Sequence, residues 1–331
     1  MIITRTPFRV SFFGGGTDIK SYYKNSNGLV LSTAINKYLY VVVKKKLGIV
    51  EHKYRINWSK VEFTNKISSI KNPIARECLR YFKINYPIEI TTFADIPANT
   101  GLGSSSAFAV GLVNGLFALT GQQVTKYQIA STAAKIEIDI IGRKIGKQDH
   151  FACCYGGLNL FEFFKDERVN INPVLVKKNI IDSLERNMIL FFTNLKRDSE
   201  STLKKQFNLE IGQKDILDKM KQMTYESNNL INSKNFNLKK FGCNLDLAWQ
   251  EKKKLTFNIS NNIIDKYYKI GKKMGAYGGK LLGAGNGGFL LFVASKNTQK
   301  KLIKKFYKLK SLHFLIDNSG SRITYFDRTD L

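Results

Sequence analysis

Histidine and cysteine are scarce in this 331-residue chain, and each scarcity narrows its chemistry. The three histidines, His52, His150 and His313, are scattered, and the four cysteines, Cys78, Cys153, Cys154 and Cys243, show no CxxC spacing. A His/Cys metal centre is excluded. The cysteines read as small reduced core residues, because the adjacent pair cannot easily bridge itself. No apolar run is long enough to cross a bilayer, since Leu29 to Val43 is interrupted by Asn36 and Lys37. The stretch Met1 to Pro7 lacks the basic and apolar segments of a secretory leader, so the cytoplasm is the expected compartment and no membrane partner is expected. GxxxxGK[ST] is also missing, which rules out a Walker A loop.

Acidic residues are few, 26 against 53 lysines and arginines, for a net charge of +27. Such a balance attracts polyanions. Yet the lysines fall in pairs and triplets all along the chain, and no zinc-finger spacing or aromatic RNA-binding strand accompanies them. The charge reads as solvated surface that favours small anionic substrates, and nucleic acid is not expected. With 43% hydrophobic and 24% charged residues the chain is ordinary for a globular protein, long enough for two domains.

What is present centres on Pro97-Ala-Asn-Thr-Gly-Leu-Gly-Ser-Ser-Ser-Ala107. Gly101 and Gly103 let backbone approach a ligand closely, and the apolar run Ala107 to Leu119 reads as a buried helix. Its unpaired N–H groups and dipole suit a phosphate, and the serine hydroxyls are candidate metal ligands. Ala107, Gly111 and Gly115 leave one helix face bare for tight packing. An ordinary glycine–serine loop with Ser104 as N-cap is the plain alternative.

Along the chain, Arg5 to Phe13 alternates as a half-buried strand, broken by Gly14-Gly-Gly16 and followed by Thr17-Asp18. Asp18 caps a helix or accepts hydrogen bonds from hydroxyls, and Arg9 binds anionic oxygens. Strands are expected at Leu29 to Val43, Tyr54 to Phe63 and Ile88 to Ala94, and a helix at Pro73 to Phe82. A helix from Thr125 to Ile141 carries Glu137 on the face of Ala130, Ala133, Ala134, Ile140 and Ile141. A carboxylate there needs a cation, either a basic side chain or magnesium. Asp149 follows a polar loop beside Lys147 and precedes an apolar run and a strand, Leu158 to Phe163, that would hold it at a rigid edge. His150 reads as structural. Between Asp166 and Leu184 the pattern loosens, which sets a boundary between domains 1–184 and 185–331. Helices follow at Ser201 to Ser233, Phe236 to Leu255 and Ser260 to Gly275. Gly283-Ala-Gly-Asn-Gly-Gly288 matches GxGxxG but leads into the strand Phe289 to Ala294, which excludes a dinucleotide fold. A helix from Thr298 and strands near His313 and Ile323 complete a βαββαβ-like second domain.

Taken together, Thr6 to Asp18, Pro97 to Ala107 and Lys280 to Phe289 resemble the three signature motifs of the GHMP kinases. Gly14-Gly-Gly-Thr-Asp18, Gly146-Lys-Gln-Asp149 and Trp249-Gln-Glu-Lys-Lys-Lys254 resemble most the D-glycero-D-manno-heptose 7-phosphate kinases within that family. The resemblance implies an α+β architecture, with a ribosomal protein S5 domain 2-like N-terminal domain and a ferredoxin-like C-terminal domain. It implies ATP and magnesium as cofactors. The implied reaction phosphorylates the anomeric hydroxyl of the heptose 7-phosphate to the 1,7-bisphosphate, feeding nucleotide-activated heptose for surface polysaccharide. An unphosphorylated sugar of fucose or galactose type is the alternative acceptor, and a non-catalytic binding protein on the same fold is the other alternative. By the same resemblance Pro97, Gly101, Leu102, Gly103, Ser104, Ser105 and Ser106 bind ATP, and Ser105 and Glu137 hold magnesium. Asp149 is the catalytic aspartate, with Arg9 and Lys147 beside it, and Gly15, Gly16, Thr17, Asp18, Gly285 and Gly287 contact the sugar. Ser106 and Asn286 depart from the usual small residues, which keeps Ser104 as a reserve metal ligand. Arg143, Lys147, Lys280 and Arg322 are candidates by charge for the substrate's own phosphate.

Overall fold

The computed structural model describes residues 1–195, 213–256 and 259–327. The first part of the chain runs β1 (Ile2–Phe13), α1 (Lys20–Tyr23), β2 (Gly28–Lys45), β3 (Tyr54–Asn57), β4 (Val61–Thr64), α2 (Pro73–Tyr81), β5 (Ile88–Ala94), α3 (Ser104–Leu119), α4 (Lys126–Lys135), α5 (Gln148–Tyr155), β6 (Leu158–Phe163), β7 (Val169–Pro173) and α6 (Lys178–Asn187). The second runs β8 (Met188–Phe192), α7 (Gln213–Asn232), α8 (Leu238–Lys253), α9 (Asn262–Lys273), β9 (Gly278–Leu281), β10 (Phe289–Val293), α10 (Lys296–Lys305), β11 (Lys310–Leu312) and β12 (Arg322–Phe326). The helix expected from Ser201 begins, within the described residues, at Gln213; residues 201–212 lie outside them.

β2 is the spine of an eight-stranded sheet. One edge pairs with β1 along its length, while the other is shared, Leu39 to Lys45 with β5 and Gly28 to Thr33 with β6. The β1 register shifts between Pro7 and Phe8, next to the one residue in the strand that has no N–H to give the ladder. From Thr6 to Phe13 the strand is buried on both faces rather than half-buried. α3 covers one side, and Phe241 of α8 packs edge-on against Phe12 and Phe13, with ring centroids 5.8 and 5.4 Å apart. The bare stripe of α3 sits on the sheet: a Cβ on Gly111 would lie 3.0 Å from Thr6 Oγ1 and 3.1 Å from Val41. The Thr4 hydroxyl donates to the Gly111 carbonyl across the same contact, at 2.9 Å.

β8, β9, β10 and β11 form a second, antiparallel sheet in the order β11-β8-β10-β9. Its fourth, first, third and second strands are neighbours in that order, as a βαββαβ unit requires. Trp249, Phe292, Phe306 and Leu290 lie in its own apolar core.

Four expectations are corrected. Tyr54 to Phe63 is a hairpin, because the Trp58 N–H donates to the Lys60 carbonyl (3.0 Å) and reverses the chain. Asp149 sits in the first turn of α5 rather than on an edge before a strand. That helix is short and buried on nearly all sides, so it carries no amphipathic stripe. The helix after Thr125 ends in a π-helical turn, Ile136–Ile140, whose extra residue per turn leaves Glu137 buried but turns Ile140 out to 44% exposure. The strand at Ile323 does not complete the second unit; β12 pairs antiparallel with β1 in the first sheet.

Because Gly111 packs directly on Thr4 and Thr6 of β1 and Val41 of β2, Gly111→Val lifts the helix. We expect a loss of about 1–3 kcal/mol by urea denaturation. Gly48→Ala, with open space around it, serves as the neutral control. Equal stability of the two variants overturns this packing account.

Candidate active site

A cavity of about 940 Å³ lies between the two sheets' loops, and all three glycine stretches reach it. β1 supplies Arg9 and Ser11, and the turn after it Gly15, Gly16 and Asp18. The loop into α3 supplies Pro97, Gly101 and Gly103 and the helix's first turn Ser104, Ser105 and Ser106, while the loop into α5 supplies Arg143 and that helix's first turn Gln148 and Asp149. Lys252, Lys280, Gly283 and Ala284 close it from the second unit.

The loop into α3 has a backbone that side chains resist. Gly101 and Gly103 take φ of 89° and 81°, and a Cβ on Gly101 would overlap the Leu282 carbonyl. The third loop closes on this one, the Phe289 N–H donating to the Thr100 carbonyl at 3.1 Å. Gly103, not Ser104, is the N-cap of α3, and no side chain caps it. The helix therefore presents bare N–H groups at the cavity.

Arg9 is 4% exposed, yet every nitrogen of its guanidinium has a partner. Nε and Nη2 donate to the two Asp149 carboxylate oxygens, each at 2.6 Å, and Nη1 donates to the Gly101 carbonyl at 2.7 Å. Such bidentate geometry is what lets a buried charge pair persist. Asp18 is equally enclosed. Its Oδ1 accepts from the Gly16 N–H (2.9 Å) and Gln148 Nε2 (3.0 Å), and its Oδ2 from the Gln148 N–H (3.1 Å). A Cβ on Gly146 would overlap this carboxylate, so the position admits glycine alone. Burial, helped by the Asp149 charge, raises the Asp18 carboxyl above its ordinary value despite the Gly16 and Gln148 hydrogen bonds.

Other expected residues are placed elsewhere. The Lys147 ammonium donates to Glu167 and lies 5.0 Å over the Tyr23 ring, outside the cavity lining. Thr17 is buried, its hydroxyl donating to the Gly14 carbonyl at 2.8 Å, and Leu102 is buried with its carbonyl accepting from the Arg9 N–H at 3.1 Å. Gly285 packs on Ile259 and Gly287 on Leu195, so these two shape the third loop while Gly283 and Ala284 line the cavity. Arg322 is exposed on β12. Gln148, Gly146 and Lys252 stand inside the motifs Gly146-Lys-Gln-Asp149 and Trp249 to Lys254, but the sequence reading assigned them no role. The packing of the first two against Asp18 is what gives them one.

The N-terminal domain model of the GHMP kinases matches residues 69–157, the span from α2 through α5. A D-glycero-alpha-D-manno-heptose 7-phosphate kinase from Campylobacter jejuni is 30% identical over 322 residues, 93% of each chain. The chain belongs to the GHMP kinases. A crystal structure titled as a D-glycero-D-manno-heptose 1-phosphate kinase from Bacteriodes thetaiotaomicron superposes with a TM-score of 0.79 at 22% identity, over 99% of this chain and 100% of that one. A bifunctional fucokinase/GDP-fucose pyrophosphorylase from Arabidopsis thaliana is 24% identical over 90% of this chain and 30% of its own length. By this family and the Campylobacter relative, the protein is a kinase, a phosphotransferase with an alcohol acceptor. Among the described residues no helix is long and apolar enough to cross a membrane.

Magnesium is typical of GHMP kinases, and Glu137 and Ser105 are the residues to test for it. Glu137 is fully buried; Arg143 donates to Oε1 at 2.6 Å, and His150 meets Oε2 through Nε2 at 2.8 Å. The Ser105 hydroxyl, at the head of α3, helps to lower the pKa of the same carboxylate. This carboxylate and hydroxyl are hard oxygen donors that suit magnesium, although Arg143 and His150 hold both carboxylate oxygens and Glu137 itself does not line the cavity. No cluster of three or more His, Cys, Asp or Glu able to hold a metal occurs among the described residues. That fits a metal bound by one or two protein oxygens and completed by phosphate.

Burial raises the Glu137 carboxyl, but His150, Arg143 and Ser105 outweigh it and leave it below its ordinary value. A lowered carboxyl contributes stability that is present above its unfolded value, about 4.3, and lost as pH falls through the folded one. Glu137→Gln removes that term. Urea denaturation from pH 7 to pH 3 should show a loss of about 1–3 kcal/mol at neutral pH and a shallower acid decline than wild type. Parallel declines would sink the assignment.

Proposed function

We propose that this GHMP kinase transfers the γ-phosphoryl group of ATP to the anomeric hydroxyl of D-glycero-D-manno-heptose 7-phosphate, giving the 1,7-bisphosphate. The observation that carries the reading is the shared anchor of Arg9, which grips Asp149 with two nitrogens and the phosphate-loop carbonyl of Gly101 with the third. Base and phosphate loop are thereby one rigid unit. The 30% identity to the Campylobacter heptose 7-phosphate kinase supports the acceptor.

In this mechanism the triphosphate rests on the uncapped N–H groups of α3 and on Gly101, Gly103, Ser104, Ser105 and Ser106. The apolar end of the cavity, with Trp58, Ile74 and Ile96, suits the adenine ring. Asp18, Gly15 and Gly16 meet the sugar. Ser11 Oγ and Gln148 Oε1, buried at this end without a partner among the described residues, support a polyhydroxyl ligand that completes them. Asp149 accepts the proton of the anomeric hydroxyl as its oxygen bonds to the γ-phosphorus, and the bond to the bridging oxygen breaks to release ADP. Arg9 holds Asp149 aimed, and adds positive charge beside the transferring group. Ser105 and Glu137 would hold magnesium, which neutralises phosphate oxygens when bound.

A coupled ADP-release assay with magnesium-ATP and a panel of sugars checks this. Heptose 7-phosphate should turn over, and Asp149→Ala should lower kcat by about 10²–10⁴-fold. Turnover on free fucose or galactose alone would keep the kinase and discard the heptose phosphate, and no turnover on any sugar would remove the reading.

A further inference from the structure

We propose that Arg143 binds a phosphate group of the nucleotide, held in place by Glu137 and offering the cavity the guanidinium edge that Glu137 leaves free. It follows the π-helical turn that ends at Ile140, and Glu137 holds it at two points. The Arg143 N–H donates to the Glu137 carbonyl at 3.0 Å, and Nη1 donates to the Glu137 carboxylate at 2.6 Å. Glu137 is fully enclosed while the arginine side chain is 25% exposed, and of the two only Arg143 lines the cavity. Nε and Nη2 of Arg143 have no hydrogen-bond partner among the described residues. Arg9 shows what that edge does when it is used: with the same two nitrogens it grips both oxygens of Asp149. Each nitrogen of Arg9 is engaged, whereas two of Arg143 are not.

The buried carboxylate needs a cation, and one nitrogen of Arg143 meets that need while His150 takes the other oxygen. A lysine would serve as well there. An arginine adds a planar pair of parallel N–H donors, spaced to meet two oxygens of one phosphate. A long side chain ordinarily loses rotamer freedom when it binds a ligand. Glu137 has already fixed this one, so part of that ordering cost is met on folding. Position selects the phosphate. Ser105, in the first turn of α3, acts on the same carboxylate and lines the cavity, which puts Arg143 beside the uncapped N–H groups of that helix. The far end of the same loop, Gly146, packs on Asp18. The loop thus runs from the phosphate helix to the proposed sugar end, and Arg143 stands at the first of these. Charge alone made it a candidate for the acceptor's own phosphate; the geometry favours the nucleotide's.

The inference rests on the phosphotransfer reading. Arg143→Ala would leave Glu137 buried without its cation and risks unfolding, so Arg143→Lys is the main variant. Its ammonium still reaches for Glu137 but has no second edge. Affinities for ADP and the ATP analogue AMPPNP are measured without any acceptor, in magnesium chloride and again in EDTA, with thermal melting alongside. We expect Arg143→Lys to melt close to wild type and to bind AMPPNP about 10–100-fold more weakly in both solutions, the range for a charge-assisted hydrogen-bonded contact. An equal loss for ADP assigns the contact to the inner phosphates, and a loss confined to AMPPNP assigns it to the terminal one. The double variant Glu137→Gln/Arg143→Met, which removes both charges together, should show the same loss in EDTA and keeps the test open if Arg143→Lys does not fold.

Because no acceptor is present, a failed sugar panel removes the acceptor reading and leaves this result standing. Unchanged nucleotide affinities with a raised KM for heptose 7-phosphate would move Arg143 to the acceptor's phosphate and overturn the proposal. A loss seen with magnesium but absent in EDTA would make the arginine a support of the metal site, which overturns it too. So would a fall in melting temperature with both nucleotide affinities kept, the mark of a purely structural ion pair.

Discussion

A guanidinium buried in the middle of β1 sets the terms for the rest of this molecule. Arg9 loses its water on folding, a cost of several kcal/mol that only a close and well-aimed anion offsets. Asp149 is that anion, and it is there because α5 starts one residue earlier and packs its apolar side under β1. The remaining nitrogen reaches Gly101, so the strand, the helix carrying the aspartate and the loop at the head of α3 are bound through one side chain. Moving any of the three leaves a charge or a carbonyl unmatched in a dry place.

The glycines follow from that constraint. Gly103 lets the Arg9 stem pass at 3.2 Å from where a Cβ would be, and Gly101 lets Leu282 come down on the loop. Gly288 admits the Thr100 carbonyl in the same way. Three stretches far apart in sequence thus meet by backbone contact rather than by side-chain packing, which leaves the cavity walls free to carry polar groups. Those groups are costly. Asp18, Glu137 and Lys280 are each enclosed, and each is shifted by its surroundings. Asp18 and Glu137 have donors matched to them, while Lys280 has a single carbonyl. The site is preorganised for anions and hydroxyls at the expense of stability, as binding surfaces in enzymes often are.

Much of the frame was legible in the chain. β1, β2 and α3 have long, clean patterns, and the small-residue stripe of α3 announced its close packing. Thr125 marked the start of α4, where the structure adds Gln128 to complete a capping box. Shorter or fully enclosed elements were not legible. α5 is buried on most sides, so no polar face alternates with its apolar one. The hairpin at Trp58 depends on one backbone hydrogen bond, and β12 on where the chain has room to return. Lys147 sits two residues before Asp149 in sequence but points to Glu167, because residues two apart at a helix start diverge by about 200°.

The sequence by itself determined which backbone conformations are allowed and where charge must be buried: glycines at the tight loops, Arg9 within an apolar strand, Glu137 within an apolar stripe. It also carried the family, through three motifs in order along the chain. The tertiary structure alone decided which charges meet. Pairing Arg9 with Asp149, and Glu137 with Arg143 and His150, depends on distances across elements, and electrostatic energy inside a protein falls steeply with those distances and with access to water. No local pattern encodes them, so partnership in the cavity is a property of the packed whole.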